Sequence, residues 1–471
     1  VVRRPQCPRC GDGGAVPAPA PVTLERHAKQ FTVDGGHRAV SPDQTLARYG
    51  HHVSALTGAV PRLVRVPLDE SGVLHVYAAG RNRAMGAGGL HALRGGLRTN
   101  CAGKGLSDAQ ARASALCEAL ERYSGTFQGD ECRRTASYRE LGADAIHPNA
   151  CMLYSEAQYR ERGRWNAGGS PFQRVPEPFD ETARIEWTPV WSLSRRAFRY
   201  LPAVFCYYEY AETAAPFCWA DSNGNAAGNT REEAILQGFL EVAERDAVAL
   251  WWYNRVRRPA VDLDSFDSGQ IRELRTAYAA LGREVWVLDL TTDLGIPTFV
   301  ALSRRTEGGR AEIAFGFGAH LDAHVAVARA LTEMNQFLVW LVSRDGRPPP
   351  AMGDPDIRRW METATLENQP YLAPEGGPPR RCAGYATPQS DDLREDVLRC
   401  QGIVERRGLE MLVLDQTRPD IELPVVKVIV PGLRHFWARF APGRLYDVPV
   451  QLGWLRQPLR EEELNPIPLF F

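Results

Sequence analysis

Between residues 230 and 255 the chain reads TREEAILQGFLEVAERDAVALWWYNR, and its apolar side chains return every three or four positions. Ile235, Leu236, Phe239, Leu240, Ala243, Ala247 and Leu250 fall on one side of a helix, which is predicted to be the longest in the chain and buried along that side. SDAQARASALCEALERYSG, residues 107–125, repeats the pattern with Ala111, Leu116, Ala119, Leu120 and Tyr123, and Ser107 or Asp108 stands where an N-cap belongs. A third helix is predicted from HLDAHVAVARALTEMNQFLVWLV, and short helical pieces from TLERHAKQ and TLARYGHHVSALTG. Alternating or β-branched runs predict strands in LVRVPLD, LHVYAAG, WTPVWSLSRR, RYLPAVFCYYEY, REVWVLDLTT, PTFVALSRR and PVVKVIVPGL. Strands and long helices alternate without a strict β-α-β order, which makes the fold class α+β, or mixed α/β.

A chain of 471 residues is long enough for roughly two or three structural units. Residues 1–45 read as a tail and linker containing the Pro/Ala tract AVPAPAPV. Residues 46–471 read as the folded domain, with a proline-containing tail at 464–471. The net charge of −1 leaves no electrostatic footprint for nucleic acid or an anionic membrane. No apolar run approaches the ~18 residues that span a bilayer, and the first residues lack a secretory apolar core. The expected location is cytoplasmic, where cysteines stay reduced. Among the cysteines, Cys7 and Cys10, in CPRC, have metal-ligand spacing, which is half of a tetrahedral zinc site. Zinc completed by another segment and an idle tail are the two readings of that pair.

The chemistry begins with a repeated spacing. EALER places Glu118 and Glu121 before Arg122, and EVAER places Glu241 and Glu244 before Arg245. On a helix, Ser114, Glu118 and Glu121 share one stripe, and Gln237, Glu241 and Glu244 share another. One such pair alone is most simply a solvated face. Two pairs, the second on an embedded helix that follows the small-residue loop SNGNAAGNT, suggest carboxylates converging on a hard divalent cation and nucleotide phosphates. Lys104, in CAGKG, lies among glycines ahead of the first helix, where it could meet phosphate, although the segment is not a Walker A loop. Arg255 ends the long helix, where a cation also complements the dipole. Arg329 and Glu333 are either site residues or a surface ion pair. No G-x-S-x-G or H-E-x-x-H motif occurs, and the adjacent His51 and His52 read as a loop pair.

Taken together, CAGKG, SALCEALERYSG, SNGNAAGNTREEAILQGFLEVAERDA with WWYNR, HLDAHVAVARALTEMNQ and the C-terminal PGLRHFWARFAPGRLYDVPVQLGW and LNPIPLFF resemble the YcaO family over residues 45–471. Within it the chain is most similar to the D component of thiazole/oxazole-modified peptide biosynthesis. The resemblance implies an ATP site in which Glu118, Glu121, Glu241 and Glu244 hold magnesium. It implies that Lys104, Ser114 and Arg255 contact phosphates or nearby groups, and that Gln237, Arg329 and Glu333 complete the nucleotide pocket.

The implied reaction converts Cys, Ser or Thr of a ribosomal precursor peptide to thiazoline or oxazoline. The side chain attacks the preceding amide carbonyl, ATP phosphorylates the resulting oxyanion, and the oxygen leaves with phosphate. Implied partners are the precursor peptide, an E1-like leader-binding protein and a flavin-dependent azoline dehydrogenase; a homodimer is a family expectation. The family's Pro-x-Pro-x-Pro tail, which reaches the active site, is matched by Pro466 and Pro468 but not by a third proline, and the chain ends in Phe471. Cys101 stands where the family usually has serine, and CPRC resembles an edge of the partner's zinc module. Two other functions fit less of this pattern. One is thioamide or amidine formation by the same ATP chemistry; the other is a docking scaffold without catalysis, which would be marked by loss of the glutamates.

Overall fold

The computed structural model describes residue 11 and residues 18–32, 36–68, 72–80, 100–167, 173–210, 216–307, 311–338, 355–386 and 390–470. Strands β1 (Leu63–Arg65), β2 (His75–Gly80) and β3 (Asn100–Gly105) form an antiparallel sheet. Strands β4 (Arg134–Ala136), β5 (Ile185–Ser192), β6 (Ala197–Pro202) and β7 (Asn225–Ala227) begin a second sheet. Strands β8 (Arg283–Asp289), β9 (Thr298–Arg305) and β10 (Ala314–Ala319) make a third, in the order β10-β9-β8. β11 (Leu412–Asp415) and β12 (Val425–Ile429) return to the second sheet, whose order is β4-β5-β11-β12-β7 with β6 on β5. Around the sheets run helices α1 (Pro42–Tyr49), α2 (Asp108–Ser124), α3 (Arg231–Asn254), α4 (Gly269–Ala280), α5 (Ala323–Leu338) and α6 (Leu393–Arg406). The fold is therefore α+β, as the pattern predicts.

The caps explain where the two carboxylate helices start. Ser107 accepts the Gln110 N–H at the start of α2, and Thr230 accepts the Glu233 N–H at the start of α3. All the apolar residues assigned above to the inner sides of these helices are buried. α3 is buried around nearly its whole circumference and ends in the aromatic pair Trp251 and Trp252, both inaccessible. These two pack with Tyr371, and Trp252 also meets Phe315 and Trp360. Phe470 of the C-terminal tail joins the same cluster through Phe315 and Trp360.

CAGKG is not a phosphate loop. It is strand β3, paired with β2 along its length. Its glycines serve close packing: a Cβ on Gly103 would lie 2.1 Å from the Ala115 nitrogen and 2.2 Å from the Ala111 oxygen of α2. Gly316 and Gly318 of β10 bring that strand as close to α5, where added Cβ atoms would lie 2.2 Å from Met334 N and from Ala326 O. Two strand–helix pairs are thus pressed together by glycine, β3 on α2 and β10 on α5.

Most of residues 1–17 fall outside the described residues, so only the later part of the 1–45 segment can be followed. Residues 18–32 and 36–45 dock on the body, and TLERHAKQ is extended rather than helical. Lys29 reaches the inaccessible Asp396 of α6 at 2.6 Å, and the Glu25 N–H donates to Glu232 of α3 at 2.7 Å. β4, β7, β10, β11, α4 and α6 were not predicted from the pattern; RYLPAVFCYYEY yields β6 followed by a helical turn at Ala203–Cys206.

Candidate functional site

A cavity of about 880 Å³ lies between β3, α2, α3 and α5. β3 contributes Cys101 and Lys104, and α2 contributes Ser114, Glu118 and Glu121. Gln237, Glu241 and Glu244 enter from α3, and Arg329 and Glu333 from α5. The two E-x-x-E-R stripes therefore face one space, and all the residues assigned to the nucleotide and metal line it except Arg255.

Arg122 lies 3.5 Å from Glu118 and 3.9 Å from Glu121, and Arg245 lies 3.7 Å from both Glu241 and Glu244. The arginine of each motif thus compensates its own carboxylate pair. Lys104 is ion-paired with Glu333, and Arg329 donates to Gln237 Oε1 at 2.5 Å. Arg329 and Glu333 are consequently not a surface pair; each reaches another wall of the cavity. Gln237 Nε2 is buried without a partner, and its amide faces a polar ligand more readily than an apolar one.

Compensation is incomplete. Withdrawal from bulk water raises the Glu121 carboxyl well above the usual carboxylate range; Arg122 opposes this, and Glu241 and Glu118 add to it. Glu241 is raised by burial against the pull of Arg245 and Arg122. Glu244, 5% exposed, is pushed up to about 7 by burial and by Glu333. Glu333 itself is held below its usual range, because Lys104 and Arg245 outweigh its burial. Carboxylates that repel across a cavity call for a cation. Among the described residues, no three His, Cys, Asp or Glu side chains close around one metal position. Carboxylates in pairs on separate helices suit magnesium, which keeps water and takes phosphate oxygens beside one or two carboxylates, better than an ion held wholly by protein. The donor set thus fits magnesium shared with a polyphosphate.

Arg255 lies elsewhere. It closes α3 with φ 49°, is exposed, and its guanidinium donates to the Glu463 carbonyl at 2.8 Å. Its place is at the helix terminus, as the dipole reading has it. Pro466 is exposed and Pro468 partly so, and neither lines the cavity. Cys7, Cys10 and Phe471 fall outside the described residues, and nothing supports zinc.

The structure adds residues that the sequence did not single out. Arg38 lines the cavity and pairs with Glu233 at 3.3 Å, so the N-terminal segment supplies part of the wall. Phe436 and Trp437 line the cavity as well, and the Arg245 guanidinium sits 4.1 Å over the Phe436 ring. Asp246, beside Arg245 in the motif, is inaccessible and belongs to this loop rather than to the cavity. It accepts the Arg434 N–H at 3.0 Å and pairs with Arg444 at 2.7 Å, holding the loop before Phe436. The signal for Arg122 and Arg245 was present in the repeated spacing; the 434–437 loop lies within the C-terminal PGLRHFWARF segment that carries the resemblance, although none of its residues was singled out, and for Arg38 there was no signal.

The family model described as YcaO cyclodehydratase, ATP- and Mg2+-binding, matches residues 102–434. An uncharacterised protein of Methanothermobacter thermautotrophicus is 31% identical over 85% of this chain and 95% of its own length. A solved heterocyclase in complex with substrate and cofactor is 48% identical, with a TM-score of 0.92 over 99% of this chain and 62% of that one. The heterocyclase TruD is 44% identical, with a TM-score of 0.77 over 100% of this chain and 58% of its own. The chain thus spans less than two thirds of the length of either heterocyclase.

Proposed function

Since the chain belongs to the YcaO family, we propose that it is the cyclodehydratase, D-type component that forms thiazoline or oxazoline from Cys, Ser or Thr of a ribosomal precursor peptide, using ATP and magnesium. The observation that carries this reading is the convergence of both E-x-x-E-R stripes, Lys104 and the Arg329–Gln237 pair on one cavity, in a chain 48% identical to a heterocyclase.

Glu118 and Glu121 on one wall, and Glu241 and Glu244 on the other, would hold the metal. Lys104 and Ser114 would meet phosphate oxygens, and Gln237, Arg329 and Glu333 would complete the pocket. When bound, magnesium–ATP supplies an activated phosphoryl group with its charge neutralised. In the ring-forming step the Cys Sγ, or the Ser or Thr Oγ, loses its proton and bonds to the preceding carbonyl carbon, the former carbonyl oxygen takes the γ-phosphoryl of ATP as ADP leaves, and that oxygen then departs as phosphate while the amide nitrogen loses its proton and forms the ring C=N bond. The protein needs no nucleophile of its own, because such chemistry depends on positioning and charge neutralisation. Phe436 and Trp437 give the cavity an apolar shelf beside its charged end, suited to a peptide. The tail that contains Pro466, Pro468 and Phe471 serves the same step.

The companions in this reading are an E1-like leader-binding protein and a flavin-dependent azoline dehydrogenase, working in the cytoplasm. No helix among the described residues is long and apolar enough to cross a membrane. Retention of all four glutamates in the cavity favours catalysis over scaffolding. The test is mass spectrometry of candidate precursor peptides incubated with the protein, ATP, magnesium and the leader-binding partner. Each ring removes one water, about 18 Da in this phosphoryl-driven chemistry. Modification without mass loss, or a mass gain from thioamide formation, overturns the azoline assignment.

A further inference from the structure

The C-terminal tail is threaded into the core rather than laid on the surface. Leu469 and Phe470 are buried, Trp252 donates to the Ile467 carbonyl at 2.7 Å, and the Asn465 N–H donates to the Tyr253 carbonyl at 2.8 Å. At Leu469 the chain pairs with no strand among the described residues, yet both of its backbone polar groups have partners. Its N–H donates to the Tyr253 hydroxyl at 3.4 Å, and that hydroxyl donates onward to the Phe436 carbonyl at 2.8 Å. Its carbonyl accepts from Gln173 Nε2 at 3.0 Å, and Gln173 Oε1 accepts the Ala438 N–H at 3.3 Å. Tyr253 and Gln173 are thus inserted, like two rungs, between the tail and the segment 436–438 that carries Phe436 and Trp437 into the cavity wall. Tyr253, Gln173, Leu469, Phe436 and Ala438 are all buried. A buried backbone group cannot exchange such a partner for water without cost. Tail and wall therefore hold one register relative to each other.

We propose that Tyr253 and Gln173 are positioning residues for ring formation, which fix the proline-containing tail against the Phe436–Trp437 wall of the cavity. This rests on the reading of the tail as part of the cyclisation machinery. Tyr253 also sits on α3, beyond Glu241, Glu244 and Arg245, so one rigid helix sets both the metal-binding carboxylates and the tail.

The experiment compares Tyr253→Phe and Gln173→Leu with the unaltered chain, each also in a form lacking Pro466–Phe471. Three quantities are read: peptide cyclisation with ATP and the leader-binding partner, affinity for the non-hydrolysable analogue AMPPNP with magnesium, and amide hydrogen exchange of peptides spanning 464–470. Each substitution is expected to slow cyclisation about tenfold, the effect of about 1.4 kcal/mol. AMPPNP affinity stays within about twofold, exchange at 464–470 accelerates, and neither substitution lowers the residual activity of the shortened chain further. Equal loss in the full and shortened chains, or a parallel loss of AMPPNP affinity, overturns the proposal in favour of general support of the fold. Unchanged exchange at 464–470 overturns it too, and this arm holds even if the unaltered chain forms no azoline.

Discussion

Helices α2 and α3 carry the same E-x-x-E-R spacing and present it in different surroundings. α2 is pressed onto β3 on one side, and its Glu118 and Glu121 side chains are 31% and 13% exposed. α3 runs through the centre of the molecule, and its Glu241 and Glu244 are 25% and 5% exposed. Both pairs have their own arginine, so the difference is one of solvent and of the second neighbour. Glu244 faces Glu333 and is pushed up to about 7, while Glu333 is drawn down by Lys104. A repeated motif therefore makes two walls of unequal cost. Both walls hold unrelieved repulsion in the protein without a cation, with Glu121 raised well above the usual carboxylate range on α2 and Glu244 facing a third carboxylate, Glu333, on the α3 wall, which is typical of a site shaped for a ligand rather than for stability.

The largest effect that separates stability from function is expected on that wall. Glu244→Gln or Glu241→Gln should reduce ATP turnover at least a hundredfold, with the fold intact by circular dichroism. Because Glu244 is costly to ionise, Glu244→Gln should also stabilise the cation-free protein at pH 8 by roughly 1–3 kcal/mol. A variant that loses stability along with turnover would make Glu244 a structural residue.

A smaller effect follows from titration. The folded-state value of Glu244 lies above its ordinary 4.5, so the folded protein binds more protons between about 4.5 and 7. The Glu244 contribution therefore lowers the stability of the cation-free protein as pH rises through that window. In the proposed site magnesium would bind the Glu244 carboxylate and would have to displace that proton below 7. Thermal stabilisation by magnesium with AMPPNP should accordingly be greater at pH 8 than at pH 6, and Glu244→Gln should flatten that difference. A pH-independent gain in the unaltered protein would mean that the carboxylate is not a ligand.

The smallest effect belongs at the far end of α3. Arg255→Ala should leave AMPPNP affinity within about twofold and stability within about 0.5 kcal/mol, as for an exposed side chain. A tenfold loss of affinity would bring Arg255 back to the nucleotide.

The two stripes were legible because helical period is local: Glu118 with Glu121, and Glu241 with Glu244, needed only their own helices. What could not be read was which side of each glycine mattered. Gly103 and Gly105 looked like a flexible phosphate loop, whereas they are positions where a helix backbone leaves no room for a Cβ. Arg255, which the resemblance puts near the phosphates, stands at the exposed end of the 24-residue α3 and does not line the cavity, a separation in space that the motif could not convey. Arg38 gave no periodic signal and TLERHAKQ gave a helical one that the structure does not follow, since this segment is held by Glu232, Glu233 and Asp396 from elements far along the chain. Tyr253 and Gln173 were likewise unreadable: their roles rest on backbone groups of two remote segments.

The central claim is that both walls serve one magnesium–nucleotide site. Calorimetric titration with AMPPNP, with and without magnesium, tests it most directly on the unaltered protein, Glu121→Gln and Glu244→Gln. Saturable binding that requires magnesium and is weakened at least tenfold by either substitution, one from each helix, is the predicted result. Binding that ignores magnesium, or that survives loss of the carboxylate on one helix unchanged, would contradict it.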